Sequence, residues 1–222
     1  MVRRPHAIKI PIRHGKAVAE SHAPSHMDAM PDIRAVAVFC GSRTGNDPAY
    51  RAAAQALGLG LADAGIQLVY GGGRIGLMGV LADAALEAGG SVVGVIPEFL
   101  KRREVAHTGI TATEVTGSMH SRKLRMFELA DAFVSLPGGL GTLDETIEIL
   151  TWRQLNLHTK PVLICDVAGS AKPLLAAIEA AITAEFASPA TRELFEVLDG
   201  VPALLRRLAH IPRAAPSEAA RM

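Results

Sequence analysis

Residues 132–152, AFVSLPGGLGTLDETIEILTW, set the tightest limits on what this chain can fold into. An apolar run from Ala132 to Leu136 breaks at Pro137 into Gly138, Gly139 and Gly141, and helix-forming residues follow from Thr142. Buried strand, tight loop and helix N-terminus come in that order. Glycines let backbone approach a ligand closely. The first N–H groups of a helix lack internal partners, so the junction suits a phosphate. Thr142 is expected to cap the helix and offer its hydroxyl to the anion, with Asp144 and Glu145 in the first turn, where the helix dipole favours negative charge. The same residues would also serve an ordinary strand-to-helix turn with an acidic start.

The rest of the chain repeats this alternation. Further strands are expected at 33–40, 67–70, 91–96, 161–166 and 194–198, and helices at 49–64, 77–88, 119–130, 172–186 and 202–209. Residues 98–117 are polar and aperiodic, which predicts a long surface excursion. Strands apolar on both faces, alternating with helices, belong to a parallel sheet covered on both sides. The expected fold is therefore α/β, a Rossmann-like doubly wound parallel sheet in a single domain over 31–212. A length of 222 residues with 49% hydrophobic content fits one well-buried core. Residues 1–30 read as a flexible basic N-terminal extension and 213–222 as a frayed tail. Ligands of such sheets bind beyond the carboxyl ends of the strands. Gly41 with Ser42, Gly71 to Gly76, and Gly138 to Gly141 all fall at those ends.

A net charge of +1 leaves no electrostatic footprint for nucleic acid. The two cysteines, Cys40 and Cys165, end apolar runs and form no disulfide framework, and the eight histidines show no metal-ligand spacing. A reducing cytoplasm is the expected location. No apolar run is long enough to span a membrane, and the basic N-terminus has no secretory apolar core.

Gly71, Gly73 and Gly76 form G-x-G-x-x-G after a strand, with Glu98 at about the distance of a ribose-binding acid. An NAD(P)-dependent oxidoreductase is thus open on the residues alone, as is a glycine turn that only permits close packing. No G-K-[ST] follows any glycine cluster, so a Walker loop is excluded. Arg122, in M-H-S-R-K, opens the helix that feeds the central strand. That helix should start at the far end of the sheet from Glu145, unless the 98–117 excursion folds back over the site.

PGGLGTLDE at 137–145 and MHSRK at 119–123 closely resemble the P-G-G-x-G-T-x-x-E and M-H-x-R-K motifs of the Lonely Guy (LOG) family, the cytokinin riboside 5′-monophosphate phosphoribohydrolases, whose relatives often carry the label lysine decarboxylase. FCGSRTGNDPAY at 39–50, GGGRIGLMG at 71–79, IPEFLKRREVAH at 96–107 and TWRQLNLHTKPV at 151–162 resemble further family blocks, so the likeness spans about 33–210. It implies Arg122 and Glu145 as the catalytic pair. Substrate contacts are implied at Glu104, Lys123, Gly138, Gly139, Leu140, Gly141, Thr142, Leu143, Asp144 and Thr151. Asp144 replaces a frequent glutamate, and Ser121 stands where many members have a charged or amide residue.

The implied activity is hydrolysis of the N-glycosidic bond of adenine-type nucleoside 5′-monophosphates, AMP or a cytokinin nucleotide, to free base and ribose 5-phosphate. The resemblance further implies a homodimer that needs no cofactor and no metal. A non-catalytic nucleotide or cofactor carrier on the same fold is the main alternative.

Overall fold

The computed structural model describes residues 33–101 and 106–211. Seven short strands form one sheet: β1 (Ala35–Phe39), β2 (Gln67–Tyr70), β3 (Val92–Pro97), β4 (Ala112–Thr116), β5 (Ala132–Ser135), β6 (Val162–Asp166) and β7 (Glu196–Asp199). Helices α1 (Pro48–Asp63), α2 (Gly76–Glu87), α3 (Glu98–Lys101), α4 (Met119–Leu129), α5 (Leu140–Gln154), α6 (Lys172–Thr183) and α7 (Gly200–Ala209) connect them or follow the last strand. Every pairing is parallel, in the order β4-β3-β2-β1-β5-β6-β7. This is the doubly wound architecture expected from the alternation.

Successive strand residues point to opposite faces, and here both faces are covered. Val36, Val38, Leu68 and Tyr70 pack with Leu57 of α1, Leu81 of α2 and Leu204 of α7. Ala37, Phe39, Val69 and Phe133 pack with Met126 of α4, Ile149 of α5 and Ile178 of α6. The local signals act as their chemistry dictates: the Asp47 side chain accepts the Ala49 N–H at 2.8 Å to start α1, with Pro48 in its first turn. Among the described residues no helix is long and apolar enough to cross a membrane.

Two departures from the expected layout matter for the site. First, β4 lies inside the segment expected to be a surface excursion. It is an edge strand whose side chains are exposed or half-buried, so its sequence, ATEVT, carries no apolar run. It pairs with β3 from Val93 opposite Ala112 to Pro97 opposite Thr116. The chain therefore leaves β4 at the carboxyl end of the sheet, and α4 starts there, not at the far end. Second, α5 begins at Leu140 with Gly139 as its N-cap, two residues before the expected start. Thr142 is then inside the first turn and caps nothing, and Asp144 and Glu145 fall in the second turn. Residues 1–30, 213–222 and Glu104 lie outside the described residues.

Candidate active site

The winding direction of the sheet reverses between β1 and β5, and a crevice opens beyond their carboxyl ends. There the Gly41 N–H donates to the Pro137 carbonyl at 3.1 Å, and the Leu77 N–H donates to the Gly41 carbonyl at 3.0 Å. Gly76, at φ 65°, lies so close to the Ser42 backbone that a Cβ would sit 2.2 Å from its carbonyl carbon. The three glycine stretches therefore meet, as their positions at strand ends required. They border a cleft of about 380 Å³ whose walls include Cys40, Ser42, Gly71, Gly73, Arg122, Gly139, Gly141, Thr142 and Glu145.

Arg122 reaches this cleft from α4. Ser118 and Ser121 form a reciprocal cap at the start of that helix, with the Ser121 N–H donating to Ser118 Oγ at 3.1 Å and the Ser118 N–H to Ser121 Oγ at 3.0 Å. The Arg122 guanidinium then lies against Gly71, where a Cβ would come within 2.1 Å of Nη2. Nη2 stands 3.1 Å from Glu145 Oε1, and both residues are buried, at 9% and 7% exposure. Among the described residues Arg122 Nε has no hydrogen-bond partner. Gly71 is thus occupied by a guanidinium at the point where a dinucleotide fold brings backbone against pyrophosphate.

The residue that follows Glu145 is anchored by hydroxyls. Thr146 Oγ1 donates to the Thr142 carbonyl at 2.7 Å, which leaves the Ser135 hydroxyl, 2.9 Å away, to donate to Thr146. This buried chain ties the first turns of α5 to the end of β5. Burial raises the Glu145 carboxyl above the usual carboxylate range, with the Arg122 charge working against that shift. Burial, reinforced by Glu145, likewise raises the Cys40 thiol and keeps it neutral beside the pair.

The loop before α5 is shaped like an anion seat. A Cβ at Gly138 would strike Thr142 Oγ1 at 2.1 Å, whereas a Cβ at Gly139 or Gly141 would meet none of the described residues within 4 Å. The side of the loop without neighbours borders the cleft, next to opening N–H groups that a helix cannot satisfy internally.

Of the residues singled out in the sequence, Arg122, Gly139, Leu140, Gly141, Thr142 and Glu145 line the cleft together. Gly138 supports the loop from beneath. Lys123 turns elsewhere: its ammonium is 3.1 Å from Asp144 Oδ2 and 2.9 Å from Glu148 Oε2. Leu143 and Thr151 lie on the exposed side of α5, where Thr151 Oγ1 donates to the Ile147 carbonyl at 2.8 Å. Sequence reasoning missed Ile75, Met78 and Ile96, which together with Leu100, from the segment expected to contribute to a base pocket, form an apolar part of the wall. Only nearness to the glycine stretches could have marked the first three. Among the described residues, no group of three or more His, Cys, Asp or Glu side chains could hold a metal ion.

Comparison with known proteins adds a second line. A family model described as "Possible lysine decarboxylase" matches residues 78–208. A cytokinin riboside 5′-monophosphate phosphoribohydrolase of Rhodococcoides fascians is 48% identical over 165 residues, covering 74% of this chain and 83% of that protein. One from Arabidopsis thaliana is 40% identical over 188 residues, covering 84% and 88%. Among solved structures, the molybdenum cofactor binding protein from the phototrophic bacterium Rippkaea orientalis superposes with a TM-score of 0.61. It covers 79% of this chain and 94% of that one at 21% identity, a likeness of fold alone.

Proposed function

The chain belongs to the Lonely Guy family, to which the family model and the phosphoribohydrolase relatives assign it, and on that premise we propose that Arg122 and Glu145 form the catalytic pair of a nucleotide N-glycosidase. The enzyme hydrolyses a nucleoside 5′-monophosphate to free base and ribose 5-phosphate. The observation that carries the assignment of the pair is the 3.1 Å contact between them inside the cleft that the anion loop borders.

Cleavage of the C1′–N9 bond leaves positive charge on the ribose ring and sends the bonding electrons to N9 of the base. Groups placed where these charges develop lower the barrier. Glu145, as the carboxylate, stabilises the oxocarbenium-like ribose and takes a proton from the water whose oxygen bonds to C1′. Its burial suits it to that task, because a carboxylate of raised pKa is a stronger base. Arg122 holds the nucleotide and offsets negative charge on the departing base or on the phosphate. The departing base takes up a proton at the imidazole ring from solvent water, and the proton that Glu145 took from the attacking water returns to solvent, so that one water is consumed overall. The Gly138 to Thr142 loop anchors the 5′-phosphate, so that binding energy remote from C1′ sets the bond in place.

The adenine ring would lie against the apolar wall of Ile75, Met78, Ile96 and Leu100. Leu140, Leu143 and Ile147 on α5 and Met119 and Leu124 on α4 are exposed. Such a set of apolar residues beside the site would be covered in a homodimer, which a solution mass would test. Two free buried thiols fit the reducing cytoplasm as the place of action. Purified protein offered AMP, GMP, CMP and N6-isopentenyl-AMP should release free base from the adenine nucleotides and not from CMP. Failure to free a base from any of them would refute the assignment.

A further inference from the structure

Lys123 follows Arg122 on α4, yet its ammonium sits over α5, between the carboxylates of Asp144 and Glu148. These carboxylates are one helical turn apart and flank Glu145 in sequence. The lysine side chain is only 14% exposed and Glu148 21%, so that pair is partly buried, whereas Asp144, at 62%, meets the lysine from the exposed side. An ion pair at that depth is screened less by solvent than a surface pair. Burial works against the ammonium, but its bonds to Glu148 and Asp144 prevail and hold its pKa above the ordinary lysine range.

We propose that Lys123 is a positioning residue: clamped by Asp144 and Glu148, it fixes α4 against α5 so that Arg122 meets Glu145, and it balances the charge around Glu145. The proposal rests on the assignment of Glu145 as the catalytic carboxylate. Around that carboxylate stand Arg122 and Lys123 from α4, Asp144 and Glu148 from α5, and the neutral Cys40 thiol at the end of β1. Arg122 and Lys123 favour its ionised form, and Asp144 and Glu148 oppose it. Lys123 and Glu148 therefore act on Glu145 with opposite sign although they share one ion pair.

That opposition separates an electrostatic role from a merely structural one. If the pair only braced the two helices, removing either partner would impair turnover in the same way. If Lys123 tunes Glu145, Lys123→Met should move the acid limb of kcat/KM to higher pH and Glu148→Gln should move it to lower pH. On the limb, each change should be about threefold or more, with the plateau less affected.

Lys123→Arg, which keeps the charge, should retain the wild-type limb, and the double variant Lys123→Met/Glu148→Gln should return close to it. The assay is base release from AMP by the full chain over a pH series, with Glu145→Gln run alongside. Limbs that move in the same direction, or do not move, would overturn the role of Lys123 while a dead Glu145→Gln left the catalytic assignment standing. A fully active Glu145→Gln would instead refute that assignment. Should Lys123→Met fail to fold, Lys123→Gln takes its place, with the same upward shift expected and its absence overturning the role of Lys123.

Discussion

Replacing Gly71 by alanine would test whether the guanidinium must lie where it does. The added Cβ would stand 2.1 Å from Arg122 Nη2 and 3.2 Å from its Cζ, with Met78 Sδ also at 3.2 Å. An ordinary contact at such atoms is roughly 3.5 Å, so Nη2 must retreat by more than about 1 Å. It ends a flexible side chain, and the backbone can stay in place. The expected cost in stability is therefore only about 1–2 kcal/mol, mainly from weakening the buried contact with Glu145. Catalysis is far less tolerant, because a displacement of about 1 Å at a reacting centre can cost about 10²-fold. Gly71→Ala should lower kcat/KM for base release by about two orders of magnitude while urea unfolding shows a modest loss. A variant with near-normal kcat/KM would show that the placement of Arg122 over Gly71 has no catalytic importance.

Gly139→Ala probes the anion seat from the other direction: its φ of −100° suits alanine and the new methyl group meets no atom of the described residues within 4 Å, so folding should be unharmed. A methyl group over the loop should obstruct the phosphate, and KM for AMP should rise by about tenfold or more with thermal unfolding unchanged, whereas an unaltered KM would move the phosphate elsewhere. His158 should contribute to the acid sensitivity of the fold. Its ring is buried against Phe127 and Phe133, with Nε2 3.0 Å from the Ile149 carbonyl and Nδ1 unpartnered, and burial, aided by Arg153 and Lys160, lowers its pKa. A folded pKa below the unfolded one means that the neutral ring contributes stability above about pH 6.5, which is lost as pH falls through the folded value. His158→Phe should therefore flatten the fall in urea midpoint between about pH 7 and 5, and an unchanged slope would assign the acid sensitivity to other groups.

The parallel core was legible because strands such as Val36–Val38 and Phe133–Val134 are buried on both sides and must be apolar throughout. The glycine stretches were legible for a related reason: loops that converge on a crevice leave no room for side chains at Gly71 and Gly76. β4 was not. An edge strand needs only one partner, and Thr113, Glu114 and Thr116 can pair by backbone without any apolar pattern. Missing that strand left Arg122 at the wrong end of the sheet on periodicity alone, and only family resemblance joined it to Glu145. The helix start at Leu140 was hidden because Gly139 caps without a side-chain signal. The turning of Lys123 toward Asp144 and Glu148 depends on how α4 crosses α5, which no local pattern encodes.

Glu145→Gln tests the central claim most directly, since it keeps the shape of the side chain and removes its charge and basicity. Base release from AMP or N6-isopentenyl-AMP, followed with nucleotide binding measured on the same preparation, should fall by about 10²–10³-fold or more while binding at the phosphate seat persists. Release at the wild-type rate would contradict the account, because no buried carboxylate would then be needed at the anomeric carbon.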